Sequence, residues 1–322
     1  MKRSHLIAAA VAFVGSLMVP FFVTSDYTLQ VLFRVYLFSA LGLAWNLVGG
    51  YSGQLSLGHA AYFGAGAYGL AISSAKLGLP AWPSVLVGVG IALLLALLIG
   101  GISFRLRGPY FALATIACAE ILRLAAKNLG PITGGDVGAQ VPALFGGEIT
   151  RSFYWAAVVL AAVAFIVTVV ITRSRFGYYL QAIREDEDTA LSVGISTAKT
   201  KLAALLVSAA LTSVAGSLYA SLFLYIVPDQ VLGHDISNEV AIVAMLGGAG
   251  TVVGPIVGSV VLETASEVFK NAFQEAHRFI YGVLLIVVVL FLPEGIVGTI
   301  NRWRKPAAPR ITVKPAIDNA AS

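Results

Sequence analysis

The chain has 322 residues, of which 58% are hydrophobic and only 11% are charged, and its formal net charge is +5. Soluble proteins carry about 25% charged residues, so this composition excludes a soluble globular domain and indicates a polytopic membrane protein. The single cysteine, Cys118, excludes a disulfide framework and a cysteine-based metal cluster.

Long apolar segments follow one another along the chain and predict about ten helices. A helix needs about 20 apolar residues to cross a hydrocarbon core, and a shorter segment is expected to span only half of it. The first segment resembles a signal peptide, but no small-residue cleavage site follows it, so we expect a retained helix. The predicted helices are 6–23, 27–48, 59–75, 84–104, 109–127, 153–172, 202–226, 239–249, 254–270 and 279–297.

These segments predict an all-α fold, a polytopic integral membrane protein with transmembrane or half-spanning helices and glycine-rich helix breaks. We expect a transmembrane domain over 1–300 and a basic, disordered tail over 301–322, which is rich in proline and small residues. Positive charge in short loops marks the cytoplasmic side, so both termini and the loop 173–201 are expected to be cytoplasmic. The loop 128–152 is then external, either as a structured cap or as a contact for an external partner.

Glycines and small polar residues interrupt the helical pattern at 49–69 and again near 247–255. Non-helical backbone at membrane depth survives where protein buries it or a water-filled cavity solvates it, so these breaks predict a hinged translocation path. The alternative is that the glycines only permit close helix packing. A formal G-x-G-x-x-G at 64–69 lacks the strand and the acidic residue of a dinucleotide site. The predicted path and hinge residues are Gly49, Gly50, Gly53, Gln54, Ser56, Gly58, His59, Gly247, Gly248, Gly250 and Gly254.

Ionisable side chains inside the predicted helices are functional candidates, because charge is costly within a membrane. Glu120 and Arg123 lie three residues apart and are expected to form an ion pair. Arg34 has no partner on its own helix, so it either reaches the outer interface or binds a carboxylate on another helix. Glu263 and Glu267 share a helix face with Lys270 and are expected to face water. The sequence predicts neither catalytic residues nor a metal site, because no nucleophile–base pair or ligand cluster occurs.

The loop 173–201 is the most highly charged segment of an otherwise apolar chain, and it is either a docking surface or a solvated connector. The chain contains no G-x-x-x-x-G-K-[ST] pattern, so it cannot be a P-loop ATPase itself. An amphipathic helix in this loop would suit docking into a partner's groove, with 184–188 as its polar surface. The apolar side chains expected to face that groove are Leu180, Ile183, Leu191 and Ile195.

The chain resembles the permease subunits of branched-chain amino-acid ABC importers, LivM type. Four runs carry the resemblance: NLVGGYSGQLSLGHAAYFGAGAY (46–68), RLRGPYFALATIACAEILR (105–123), REDEDTALSVGISTAKTKLAALLVSAALTSVAGSLYA (184–220) and MLGGAGTVVGPIVGS (245–259). The resemblance covers about 30–300 and is specific to the family rather than to a substrate, since relatives carry branched-chain amino acids, other amino acids, urea and short amides.

The resemblance implies a second homologous permease subunit, two cytoplasmic ATP-binding subunits that hold ATP and Mg, and an external, periplasmic solute-binding protein. It further implies an inner-membrane location among lipid, no cofactor in this chain and no nucleic-acid partner. Asp188-Thr189-Ala190-x-x-x-Gly194 resembles the E-A-A-x-x-x-G signature of the loop that contacts the ATPase, although the I-x-L-P that often follows is missing. The implied ATPase-coupling residues are Arg184, Glu185, Asp186, Glu187, Asp188, Ala190 and Gly194.

An ion-coupled secondary transporter or a passive channel for a small polar solute also explains ten helices with glycine breaks. That alternative predicts buried carboxylates for ion coupling and gives no use to a charged cytoplasmic helix.

Overall fold

A computed structural model describes residues 13, 15–23, 25–146, 149–272, 282 and 295–304, and this part of the chain is mainly helical. Part of the predicted helix 6–23, most of the predicted helix 279–297 and most of the predicted tail lie outside the described residues. The elements are α1 (Val19–Phe22), α2 (Asp26–Val48), α3 (His59–Leu77), α4 (Ala81–Ser103), α5 (Pro109–Asn128), α6 (Gly130–Thr133), β1 (Ala139–Gln140), α7 (Ile149–Arg173), α8 (Arg175–Glu185), α9 (Glu187–Ser192), α10 (Thr197–Phe223), β2 (Tyr225–Ile226), α11 (Pro228–Val231), α12 (His234–Gly247), α13 (Gly254–Ala272) and α14 (Gly295–Arg304).

Five helices of the described part are long and apolar enough to cross a membrane: α2, α4, α5, α7 and α10. Helix α2 lies at the centre, where it packs against α7, α13, α10 and α12. Helix α4 lies at the periphery and leaves Leu86, Leu94, Leu98 and Ile102 exposed. An apolar surface of this kind is expected to face lipid. The chain is therefore an all-α, multi-pass membrane protein.

Helix α3 packs closely between α10 and α4 through glycines. A Cβ atom on Gly66 would overlap the backbone of Ser213 on α10, and one on Gly69 would overlap Gly88 on α4. Small residues let helix backbones approach in this way. The resulting close packing holds helices together in lipid, where the hydrophobic effect does not drive their association. The glycines of 64–69 thus lie inside a continuous helix and serve its packing.

Two separate helices, α12 and α13, form where the sequence predicts a break, and Pro255 lies in the first turn of α13. Helix α12 begins at His234, five residues before the predicted start, because Asp235 places a negative charge in its first turn. The two helices pack closely, since a Cβ on Gly258 would overlap the carbonyl of Val243.

The two predicted loops contain local structure. Within 173–201 the chain forms α8 and α9, and α10 begins at Thr197, earlier than the predicted residue 202. At the opposite end, Ala139 pairs with Ile226 in an antiparallel ladder that joins β1 to β2. The described part of the loop 128–152 therefore contains local structure, held in part by a strand pair that the sequence did not predict.

Candidate functional site

The two glycine breaks of the sequence meet in the structure. The Asn46 side chain in the last turns of α2 donates from Nδ2 to the Thr251 carbonyl at 2.8 Å and accepts at Oδ1 from the Gly250 backbone N–H at 2.7 Å. One amide side chain thus satisfies two backbone groups that the second break leaves without helical partners. We call this meeting point the junction; it comprises Asn46, Gly50, Arg184, Gly250 and Thr251.

Arg184 connects the charged loop to the junction. It lies in the last turn of α8, and its Nη1 donates to the Gly50 carbonyl at 2.7 Å. A Cβ on Gly250 would overlap the Arg184 guanidinium, and a Cβ on Gly53 would lie 3.1 Å from Arg184 Cγ. Both glycines have positive φ, at +81° and +70°, which favours glycine. The glycines therefore leave the space that the Arg184 side chain fills.

Glu187 and Asp188, predicted to form part of the docking surface, bind side chains of this chain. Glu187 accepts from Lys201 Nζ at 2.7 Å, and Lys201 is completely buried with Nζ 5.3 Å from the centre of the Phe104 ring. Asp188 accepts two hydrogen bonds from Arg107, at 2.9 and 2.8 Å. Hydrogen bonding to Asp188 raises the pKa of Arg107.

The remaining predicted coupling residues differ in their surroundings. Asp186 caps α9 by accepting from the Thr189 backbone N–H, and this hydrogen bond lowers the pKa of the Asp186 carboxyl. Glu185 is exposed, whereas Ala190 is buried. Gly194 has φ +86° and follows α9. Whether these residues touch a partner remains a prediction.

The expectation that Leu180 and Ile183 face a partner's groove is wrong. Both side chains are almost completely buried within this chain, because α8 packs against α7 and α10. Leu191 is 46% exposed, and the neighbouring Val193 is 71% exposed. The apolar surface available to a partner is therefore carried by α9 and the residues that follow it.

The polar residues of the first break are engaged with neighbouring helices. His59 is completely buried, its Nδ1 lies 3.1 Å from Ser56 Oγ, and its Nε2 lies 2.9 Å from Ser208 Oγ on α10. Trp45 Nε1 donates to the Ser56 carbonyl at 2.7 Å, while Gln54 is partly exposed. His59 could bind a solute only after one of its hydrogen bonds had opened. A role for these residues in a path stays a prediction, and the geometry supports packing.

A second charged cluster lies at the opposite end of the bundle. The predicted pair of Glu120 and Arg123 is confirmed, with Arg123 Nε 2.9 Å from Glu120 Oε2. Asp229 on α11 binds both Arg123 and Lys127, with Lys127 Nζ at 2.8 Å. Hydrogen bonds from Lys127 and Arg123 lower the pKa of Asp229. These ion pairs connect α5 to the segment before α12.

A third cluster lies around Arg34, and it confirms the alternative that this arginine binds a carboxylate on another helix, although the sequence did not predict which one. Its Nε donates to Glu263 Oε2 at 3.1 Å, and its Nη2 lies 3.6 Å from Glu239 Oε1. The expectation that Glu263 faces water is wrong, since only 3% of its side chain is exposed. Arg34 thus binds carboxylates on other helices. The signal in the sequence was an arginine without a helical partner beside two apolar segments that each carry a glutamate.

Comparison with known proteins supports the architecture. Residues 27–289 match the family described as "Branched-chain amino acid transport system / permease component". The high-affinity branched-chain amino acid transport system permease protein LivM of Escherichia coli K12 is 29% identical over 303 residues, covering 85% of this chain and 71% of that protein. The corresponding protein LivH of the same strain is 29% identical over 186 residues, covering 53% and 59%.

A more distant relative is the probable branched-chain amino acid transport permease protein LivM of Methanocaldococcus jannaschii, which is 24% identical over 66% of this chain and 70% of its own length. No solved structure matches the chain. Because the family match spans most of the chain, this multi-pass membrane protein belongs to the permease components of branched-chain amino acid transport systems, is of the LivM type, and is a transport component rather than an enzyme.

Proposed function

We propose that the chain is a membrane-spanning subunit of an ABC importer for branched-chain or related amino acids. It forms the translocation path with a second permease, which a separate external solute-binding protein supplies with substrate. Relatives named LivM and LivH belong to one bacterial strain and to transport systems of the same description, and this chain resembles both. This likeness supports a pair of related but distinct permeases.

Energy for uptake comes from two ATP-binding subunits on the cytoplasmic side, which hold the ATP and Mg. In this proposal the chain lies in the inner membrane, with both termini and the segment 173–201 cytoplasmic and 128–152 external. The basic residues of 173–201 support that orientation.

One observation carries the mechanism: Arg184 of the charged segment donates a hydrogen bond to Gly50 and fills the space beside Gly250. A displacement of α8 by a docked ATPase therefore moves the Arg184 guanidinium relative to both breaks. Because these breaks end α2 and separate α12 from α13, such a displacement can change the relative positions of three helices. Arg184 acts here as a positioning residue between the ATPase and the path.

Variants of two neighbouring residues distinguish docking of the ATPase from transmission of its movement to the helix breaks. Arg184→Gln removes the charge-assisted hydrogen bond to Gly50, so we expect the ATPase to stay bound while uptake per ATP hydrolysed falls on the order of tenfold. Glu185→Lys reverses an exposed charge, so we expect it to release the ATPase and to leave the thermal stability of the permease unchanged. Arg310→Glu in the predicted tail is the control and should do neither.

The measurements are co-purification of the ATPase, ATP hydrolysis, and amino-acid uptake into vesicles that contain the complete importer. Normal coupling in Arg184→Gln would contradict the transmission role. Normal ATPase binding in Glu185→Lys would contradict docking on this surface.

The buried carboxyl group of Glu263 beside Arg34 favours the alternative of an ion-coupled secondary transporter, which needs such groups. The two functions differ in their energy source. Uptake that collapses with an uncoupler but survives ATP depletion would support ion coupling and contradict the importer. We expect the opposite pattern.

A further inference from the structure

The cluster around Arg34 joins helices that are distant in the sequence. Arg34 is on α2, Glu239 on α12 and Glu263 on α13, and both carboxyl groups contact nitrogens of the same planar guanidinium. The two carboxyl groups consequently lie side by side against this guanidinium. This cluster is separate from the junction and plays no part in the proposed coupling.

The charges of the cluster do not balance. One guanidinium faces two carboxyl groups, so one negative charge is left over if both carboxyls are ionised. The nearby Glu267 and Lys270 on α13 lie 3.9 Å apart and offset each other, so they do not remove the excess. An uncompensated charge at such a site is strongly disfavoured. Among the described residues, the titratable and charged groups facing the two carboxyls are Arg34, Tyr219, Glu267 and Lys270.

One oxygen of the cluster lacks a hydrogen-bond partner. Glu263 Oε2 accepts from Arg34, but Glu263 Oε1 is buried and has no partner among the described residues. Buried carboxylate oxygens are normally hydrogen-bonded, so this oxygen marks a missing donor. The neighbouring Glu239 carboxyl can become that donor by binding a proton.

We propose that Glu239 and Glu263 share one exchangeable proton, which makes the cluster with Arg34 electrically neutral. The proton resides on the Glu239 carboxyl, whose O–H donates to Glu263. Glu263 is then the ionised partner of Arg34, and all three side chains are satisfied. Access is through Glu239, since its side chain is 24% exposed and that of Glu263 only 3%. The proposal does not rest on the transport mechanism, because it concerns the protonation of the resting permease.

Infrared spectroscopy of the full chain in lipid nanodiscs tests this proposal, because a protonated carboxyl absorbs apart from an ionised carboxylate. At neutral pH, the spectrum of the wild type minus that of Glu239→Gln should contain a protonated-carboxyl band. The same band should appear when Glu263→Gln is subtracted, since the remaining carboxylate then pairs with Arg34 and needs no proton. The band should shift in D2O and disappear as the pH is raised.

Three further variants define the outcome. The double variant Glu239→Gln/Glu263→Gln should lose no more band intensity than either single variant. Arg34→Gln should gain about as much intensity as one variant loses, because neither carboxyl then has a cation to stabilise its ionised form. Glu267→Gln, one turn further along α13, is the matched control and should leave the band unchanged.

Absence of a difference band for both single variants would overturn the proposal, because both carboxyls would then be ionised. A double variant that loses twice the intensity would also overturn it, because each carboxyl would carry its own proton. The pH titration of the wild-type band requires no variant, so the proposal can be tested even if a substitution impairs folding.

Discussion

The two arginines that connect distant helices differ in what they bind. Arg34 binds carboxylates, and its partner Glu263 is almost completely buried, whereas Arg184 binds the neutral carbonyl oxygen of Gly50. Removing one partner of a buried ion pair costs about 3–5 kcal/mol, while a hydrogen bond to a charged group contributes about 1.5–3 kcal/mol. The comparison teaches that the Arg34 cluster fixes helices relative to each other, whereas the Arg184 contact can be exchanged when a partner moves α8.

The largest effect on stability is expected at the Arg34 cluster. Arg34→Leu leaves Glu239 and Glu263 without their cation, so we expect the free energy of unfolding at neutral pH to fall by about 3–5 kcal/mol. The loss should be smaller in acid, because the proton that the carboxyls take up in place of the arginine charge then costs less free energy to bind. Unfolding in detergent, followed by circular dichroism at several pH values, measures this change. Arg34→Lys is the control that keeps the charge, and a Leu variant as stable as the wild type would contradict the fixed role.

A smaller effect on stability, but a large one on transport, is expected at Gly53, which lies beside Arg184 of the junction. Gly53→Leu places a side chain at φ +70° and against Arg184, with strain of about 1–2 kcal/mol. We expect the complex to assemble and hydrolyse ATP while uptake is lost.

The matched control for Gly53 is Gly78, which ends α3 with φ +61° and has open space where a Cβ would lie. Gly78→Leu introduces similar backbone strain without touching Arg184, so uptake should persist. Equal loss of uptake in both variants would mean that strain alone, and not the contact with Arg184, is responsible. Failure of Gly53→Leu to assemble would support the packing interpretation of the first break.

Segment length and glycine content made much of the fold predictable. The helix predicted at 27–48 is observed at Asp26–Val48, because an apolar run of membrane-spanning length leaves little freedom in its ends. The breaks near Gly50 and Gly250 followed from glycine content. Their contact could not be predicted, because it depends on single hydrogen bonds between segments about two hundred positions apart in the chain.

The sequence indicated which side chains are buried more readily than it indicated which neighbouring surface covers them. Leu180 and Ile183 share an apolar helix face, as the sequence indicates, but no local pattern tells whether that face covers this chain or a partner. Likewise, Glu263 shares a face with Lys270, and this local spacing does not indicate that Arg34 on α2 binds Glu263. In both cases the deciding neighbour lies on another helix.

A modest effect is expected where the charged segment is tied to the loop before α5. Asp188 accepts two hydrogen bonds from Arg107, and both side chains are more than half exposed. Asp188→Lys should weaken ATPase binding by displacing α9, and the exchange Arg107→Asp/Asp188→Arg should restore binding. The restored pair should be sensitive to salt, because exposed charges are screened. Failure of the exchange to rescue binding in a pull-down would indicate that Asp188 contacts the ATPase directly.

The smallest effect on stability is expected for cysteine variants that test the orientation of the chain in the membrane. The assignment of one end of the bundle to the cytoplasm and of the other to the exterior depends on this test. Val137 is 77% exposed at the end opposite the charged segment, and Val193 is 71% exposed within that segment. Because the two exposures are nearly equal, a difference in labelling between Val137→Cys and Val193→Cys reports the side of the membrane rather than accessibility. We expect a membrane-impermeant thiol reagent to label Val137→Cys in intact cells and Val193→Cys only after permeabilisation. The wild type, whose one thiol is the partly buried Cys118, provides the background. Labelling in the reverse order would place Arg184 on the external side, where no ATPase could dock, and would thereby refute the coupling role of the junction.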